Sequence, residues 1–496
     1  MHLFRLSLRG YVRLAVSVGF ISLLTASQGS STLAADITFN IELISETPVP
    51  GADYPRHCGD LWASGNYAYI GSDRHLGGIS IFDISNPASP QFVTEYAGEE
   101  MEDVEVYGRF GYFSSDDNQA TPATGTGVDI IDLIDPTNPV MIARVDASIG
   151  GHYKVHTLSV SDGFLYTTDN ITDTIKIFNV SDPYTPSYVT TVDLGLASNV
   201  DSHEVMVMDG RMYVASKIPS NVTTGYTHIY DVSNVGTTGP VLLKGFQTGG
   251  GTHTSMPSED GNLLIVSQER ANGEVRIYDI SMIDQPNDPQ NPVLLKTITA
   301  STLGIQAHSP HHSHMHGDLL FLSWYEAGLQ VLNLADPANP AWVGSYDTFT
   351  GTSSDFNGNW GAFHGLGLDK VLLSDRNKGL IIVDASGVAP NGDFNADGMV
   401  DGRDFLAWQR GYGTMNAALA DGDGNRDRTV NGSDLVVWGD QYGHTDHHGG
   451  HHVHATQVPE ICTVVTLLTC LPLLTVMRVR ACEKARCQRR CVNAPS

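Results

Sequence analysis

Two sets of residues in this chain have types and spacings that could do chemistry. The first is a pair of oxygen-rich runs. Asp393, Asn395, Asp397, Met399, Asp401 and Asp404 fall at positions 1, 3, 5, 7, 9 and 12 of one loop, and Asp423, Asn425, Asp427, Thr429, Asn431 and Asp434 repeat the set 30 residues later. Carboxylate and amide oxygens at alternate positions, with a backbone carbonyl at position 7, are what calcium collects into its shell. Gly398 supplies the sharp turn at position 6 of the first loop, whereas Arg428 stands there in the second. The second set is imidazoles: His156, His203, His253, His311 and His364, joined by His57 and Glu102. Histidines with a few carboxylates suit copper, zinc, iron or nickel, and donors converging from separate elements leave a position open for Lewis-acid or redox chemistry. The competing role for each histidine is to cap a loop or bond a neighbouring backbone group. The chain has no Gly-x-Ser-x-Gly elbow, phosphate loop or dinucleotide fingerprint, so catalytic residues outside these sets are unknown.

The histidines are spread through the chain, so some repeated element must gather them. One pattern recurs: a short apolar strand, an acidic or amide residue, a Pro-bearing turn and a second strand. It reads GISIFDISNPASPQFVTEY from Gly78 and GLQVLNLADPANPAWVGSY up to Tyr346, with four further copies between them. The acidic or amide position is Asp83, Asp132, Asn179, Asp231, Asp279, Asn333 and finally Asp384, a period of about 50 residues that fits propeller blades. A hairpin upstream of each copy brings the unit to four strands. The seventh copy stops at Gly387 without its last strand, while 37–49 forms an orphan strand ahead of the first blade. Supplying one to the other closes an all-β seven-bladed propeller and removes the open edges of an array. First strands of all blades then line the channel in one direction, and residues at their starts meet at one mouth. These copies resemble the LVIVD repeat, nearly spelled by Leu380–Asp384. The resemblance covers about 37–386 and implies an extracellular propeller with no single activity.

The rest of the chain is organised around that body. Arg5, Arg9 and Arg13 precede an apolar run, Leu14–Leu24, and small residues near Ala34 and Ala35, so 1–35 reads as a signal peptide. The propeller follows over 36–390. Cys58 is its one cysteine, so core packing and ring closure rather than disulfides must hold it. A formal net charge of −27 excludes nucleic acid as a partner. The paired loops, each followed by an apolar segment with Trp408 or Trp438, resemble a type I dockerin over 391–443 and predict a small α-helical module. That resemblance implies docking to a cohesin-like or other surface protein in a larger, even polysaccharide-degrading, assembly; a calcium-stabilised spacer is the alternative. Next comes a histidine-rich linker, 444–457, a spacer or metal scavenger. In the tail, 458–496, Val458-Pro459-Glu460 precedes an apolar run, Ile461–Met477, and a basic end. It resembles a PEP-CTERM sorting signal with a transmembrane segment, placing the protein in the cell envelope or on its outer surface, anchored or released after processing.

Three functions are compatible with this layout. The propeller can be a binding module for protein or glycan, attached to an assembly through its calcium loops. It can be a metalloenzyme, redox or lyase, with a histidine-lined centre at the channel mouth. Or it can be a structural surface component.

Overall fold

The computed structural model describes residues 37–444, apart from 53–56, 74–76, 170, 197–199, 219–222, 285–291 and 351–355. The described residues fall into a large unit, carrying the sheets and two C-terminal helices, and a small one of Asp397–Met399 with 443–444.

The large unit contains seven sheets of four antiparallel strands. Six blades follow the chain; in blade four Asp201–Met208, Arg211–Lys217, Gly225–Asp231 and Val241–Gln247 pair in that order. Blade seven consists of Asn359–Phe363, Val371–Asp375 and Gly379–Asp384, completed by Glu42–Thr47 from the other end of the chain. Glu42 lies opposite Asp384, so the orphan strand does close the ring. The residues just before it bind blade six: Phe39 and Ser345 exchange backbone hydrogen bonds of 2.9 and 3.0 Å, and Asn40 Nδ2 donates to Val343 O.

The repeated residues account for the repeated shape. At the end of every third strand the Asp or Asn oxygen accepts the N–H two residues on, from Asp83 to Ser85 at 2.8 Å through to Asp384 and Ser386 at 2.8 Å. Isoleucine, valine and aromatic residues of the second and third strands pack between sheets, giving seven apolar clusters, one at each blade-to-blade contact. The contact between blades seven and one, with Phe82 and Ile70 against Leu372 and Ile382, is built like the rest.

Beyond the propeller, helices Gly402–Gly411 and Gly432–Gln441 start on Asp401 and Asn431, whose side chains cap the first turns. Trp408 Nε1 donates to Asn431 O and Trp438 Nε1 to Asp401 O, so the duplicated sequence forms a duplicated structure. The 1–35 segment, the linker beyond His444 and the Ile461–Met477 run lie outside the described residues. Among those described, no helix is long and apolar enough to cross a membrane.

Candidate functional site

The innermost strands run side by side around the channel, and their starts do meet at one mouth. In four blades a β-bulge sits there. The register of blade four shifts between Ser202 and Glu204, that of blade five between Thr252 and Thr254, and that of blade seven between Asn359 and Gly361. Blade one shifts between Cys58 and Leu61. The extra residues are His203, His253, Trp360 and the Gly59-Asp60 pair, and a bulge turns such a side chain away from its regular alternation. Hydroxyls of the preceding blade fix the backbone at His203, where Thr157 and Thr168 donate to its carbonyl oxygen.

Five imidazoles form a contiguous row. Ring centroids are 4.2 Å apart for His156–His203, 4.2 Å for His203–His253, 4.3 Å for His253–His311 and 4.2 Å for His311–His312. Three central members share one tautomer, assigned from their partners. His203 Nδ1 faces Asp201 at 3.3 Å, and His311 Nδ1 donates to Trp360 O at 2.7 Å. His253 Nδ1 donates to Thr254 Oγ1, whose own proton goes to Glu204. Each Nε2 is therefore an acceptor, and that of His203 already faces His156 Nε2 at 3.2 Å. His253 Nε2 and His311 Nε2 lie 3.6 and 3.9 Å from Glu269, and His311 Nε2 is buried with no hydrogen-bond partner. Lys217 Nζ stands 3.1 Å from His203 Nε2 and 3.3 Å from Glu269, and Tyr325 donates to Glu269 at 2.8 Å.

Charge is partitioned along the row. Burial, then the charges of Lys217 and His156, hold His203 well below its ordinary pKa; burial, then its imidazole neighbours, do the same for His253 and His311. At the ends the balance reverses. Burial opposes the charged form of His156, but Glu102 and Asp116 outweigh it and hold the imidazole well above its usual range. Against the same burial, Asp60 and Glu204 raise His312. The row thus favours the neutral ring at its centre more than at its ends, and a neutral imidazole is the form that can offer a lone pair to a metal. Three sets bring their ligand atoms within 4.8 Å: His203, His253 and Glu269; His253, His311 and His312; and Glu102, Asp116 and His156. Behind the row lies a channel cavity of about 390 Å³, lined by Asp60, Glu102, Asp103, Glu105 and Glu204 among others.

Of the histidines singled out in the sequence, His156, His203, His253 and His311 come together in this row, with Glu102 at its end. His364 does not join them. It follows its inner strand instead of starting it, and stacks beside His316 and Phe321 at 5.3 Å from each. His57 is tied by its backbone to Arg376, and neither it nor His364 belongs to any of the three sets. Asp116, Lys217, Glu269 and Tyr325 went unnoticed in the sequence. All four lie at or just after the end of a second strand, the place a hairpin returns to the mouth.

In the second oxygen-rich loop, Asp434 accepts the N–H groups of Asn425 and Asn431, and Asp423 accepts that of Arg428. Asp423 is 2% exposed, its Oδ1 has no hydrogen-bond partner, and burial and then the charges of Asp434 and Asp427 push its pKa up to about 6. Crowded buried carboxylates with an unspent oxygen fit a hard divalent cation. In the first loop Asp404 accepts from Asn395 and Asp401, and Met399 N–H donates to Asp397.

Residues 55–98 match the sequence model of the LVIVD repeat. No curated protein matches the chain. Among solved structures it is similar to the periplasmic gluconolactonase of Pseudomonas aeruginosa, at 13% identity over 65% of this chain and 92% of that one, TM-score 0.49. It is also similar to a protein from Lactobacillus plantarum, at 12% identity over 68% and 89%, TM-score 0.47. A third is the WD40 propeller domain of Doa1, at 13% identity over 70% and 97%, TM-score 0.47. Identities this low carry no information about activity.

Proposed function

We propose that this is an exported, envelope-anchored propeller with a transition-metal centre at the strand-start mouth of its channel, performing metal-dependent catalysis on a small substrate. The observation that carries the reading is the partner placed at Nδ1 of each of His203, His253 and His311. Each spends Nδ1 on that partner, which makes Nε2 an acceptor, beside the Glu269 carboxylate. Such orientation by outer partners is how imidazole ligands are held ready for a metal. A bound zinc, copper, iron or nickel ion would supply Lewis-acid or redox activation. Glu269 offers the anionic donor, and the Tyr325 hydroxyl orients it. Lys217 and His156 both lie against the His203 lone pair and would have to turn from it for an ion to be held there; the Lys217 ammonium would then stand nearby as a proton donor. The cavity sets a few acidic groups, Asp60, Glu102 and Glu204, near the row among apolar side chains such as Trp62, Leu158, Val205 and Met256, which suits a small substrate with both apolar and polar parts.

Metal content of the purified full chain, measured beside a His253→Ala chain, tests this. One equivalent of transition metal should be present in the parent beyond what the variant holds, because the linker histidines are common to both. Equal contents in two folded chains would sink the proposal.

A second reading concerns attachment, and the unspent Asp423 oxygen among neighbouring carboxylates favours it. With calcium in both loops, the C-terminal module would link the propeller to a cohesin-like or other surface protein, and its channel face or rim would be free to bind protein or glycan. The export and anchoring parts rest on the N-terminal and C-terminal sequence patterns.

A further inference from the structure

Arg428 occupies the loop position that Gly398 holds in the first copy, and its φ of 68° is costly for any residue with a side chain. The side chain supplies the compensation. Its guanidinium lies 5.3 Å from the Phe39 ring centroid and 6.0 Å from that of Trp342, and these rings meet edge to face at 4.9 Å. Phe39 belongs to the N-terminal run that pairs with blade six, and Trp342 belongs to the outer strand of that blade. A second contact joins the same partners, since Asn333 Nδ2, from the turn of blade six, reaches Asn425 O at 3.4 Å. At the other end of the residue, Arg428 N–H donates to Asp423 Oδ2, while Asp423 Oδ1 is buried without a partner.

From this arrangement we infer that the second loop is an ion-dependent clamp: a divalent cation held by Asp423, Asp427 and Asp434 fixes Arg428 against Phe39 and Trp342, and so locks the N-terminal run onto blade six. The inference rests on the calcium reading of that loop. Without a cation, Asp423, Asp427 and Asp434 repel one another, a repulsion that the Arg426 charge offsets in part at Asp423, and the loop gains by opening. Opening frees the backbone of Arg428 from its strained conformation and withdraws its guanidinium from the two rings. Because the N-terminal run continues into the outer strand of blade seven, the clamp acts on the segment that closes the ring.

Hydrogen exchange of the full chain in Ca²⁺ and in chelator, read at the Phe39 and Ser345 amides, tests the clamp. Those amides donate to each other's carbonyls, so they report directly on the run. Calcium should slow both by about tenfold or more. An Arg428→Gly chain keeps every oxygen ligand and suits the positive φ, so it should bind as much Ca²⁺ yet lose the slowing. Phe39→Leu should lose it too, with the loop untouched. If calcium stoichiometry does not fall in Asp434→Asn, the calcium reading of the loop fails and the clamp fails with it. If the loop binds calcium but the two amides do not respond, or Arg428→Gly responds like the parent, the clamp alone is overturned.

Discussion

Within the row, His203, His253 and His311 combine an Nδ1 acceptor with a pKa held below its ordinary value, whereas His156 and His312 have carboxylates at Nδ1 that, against burial, raise theirs. The imidazoles themselves stood out in the sequence because they recur with the blades. Their acceptors did not: the Trp360 carbonyl that orients His311 comes from the next blade. The bulges that turn His203 and His253 toward the mouth are register shifts that a strand pattern does not record. The channel carboxylates also have individual consequences. Glu105 accepts the Val160 N–H at 2.7 Å, and burial pushes its pKa up to about 8, against 4.5 for an ordinary glutamate. A folded-state pKa raised in this way gives stability that is full below the unfolded value and is lost as pH rises through the folded one. Glu105→Gln keeps the acceptor and cannot ionise. Thermal denaturation between pH 5 and 8.5 should show the parent losing on the order of 2 kcal/mol more than the variant as pH rises.

At the scale of elements, the blade was the most legible feature, because strand, capping residue and proline turn each have a local physical cause. Asp279 bonds the N–H and hydroxyl of Ser281, as Asp231 bonds those of Ser233. Asp279→Ala should therefore cost about 1 kcal/mol in chemical denaturation, and Asp231→Ala with Asp279→Ala, in different blades, should cost close to the sum. In the sequence the upstream hairpin shows itself only as two more strands per blade, and nothing marks the end of its second strand, although the column there is Asp73, Asp116, Asp169, Lys217, Glu269, Tyr325 and Arg376. Six of these meet residues of the mouth or one another: Asp116 bonds His156, Lys217 bonds His203 and Glu269, Tyr325 bonds Glu269, and Arg376 stacks on Trp360 and bonds Asp73. Aligning copies by their second strands would have displayed that column.

At the scale of the molecule, seven similar apolar contacts leave the ring without a weak seam, and its closure depends on one strand from the far end of the chain. That strand was foreseen from counting: six complete copies, one short, and one segment over. The calcium-type loops were equally visible, but the meeting of Arg428 with Phe39 was not, because it joins parts that share no repeat. A chain beginning at Pro48 would leave the apolar strand Gly379–Asp384 with an open edge. Such an edge recruits other chains, so light scattering should show association that the full-length protein lacks under the same conditions. The same closure also imposes an order of events. The hydrogen bond from Asp347 to Thr38 spans 309 residues, and the pairing of Glu42 with Asp384 spans more. The earliest strand to be synthesised must therefore wait, unpartnered, until the last blade has been made. Contacts between such distant positions form late, so a stalled or truncated chain can stack its middle blades but remains unsealed, a natural substrate for quality-control proteases.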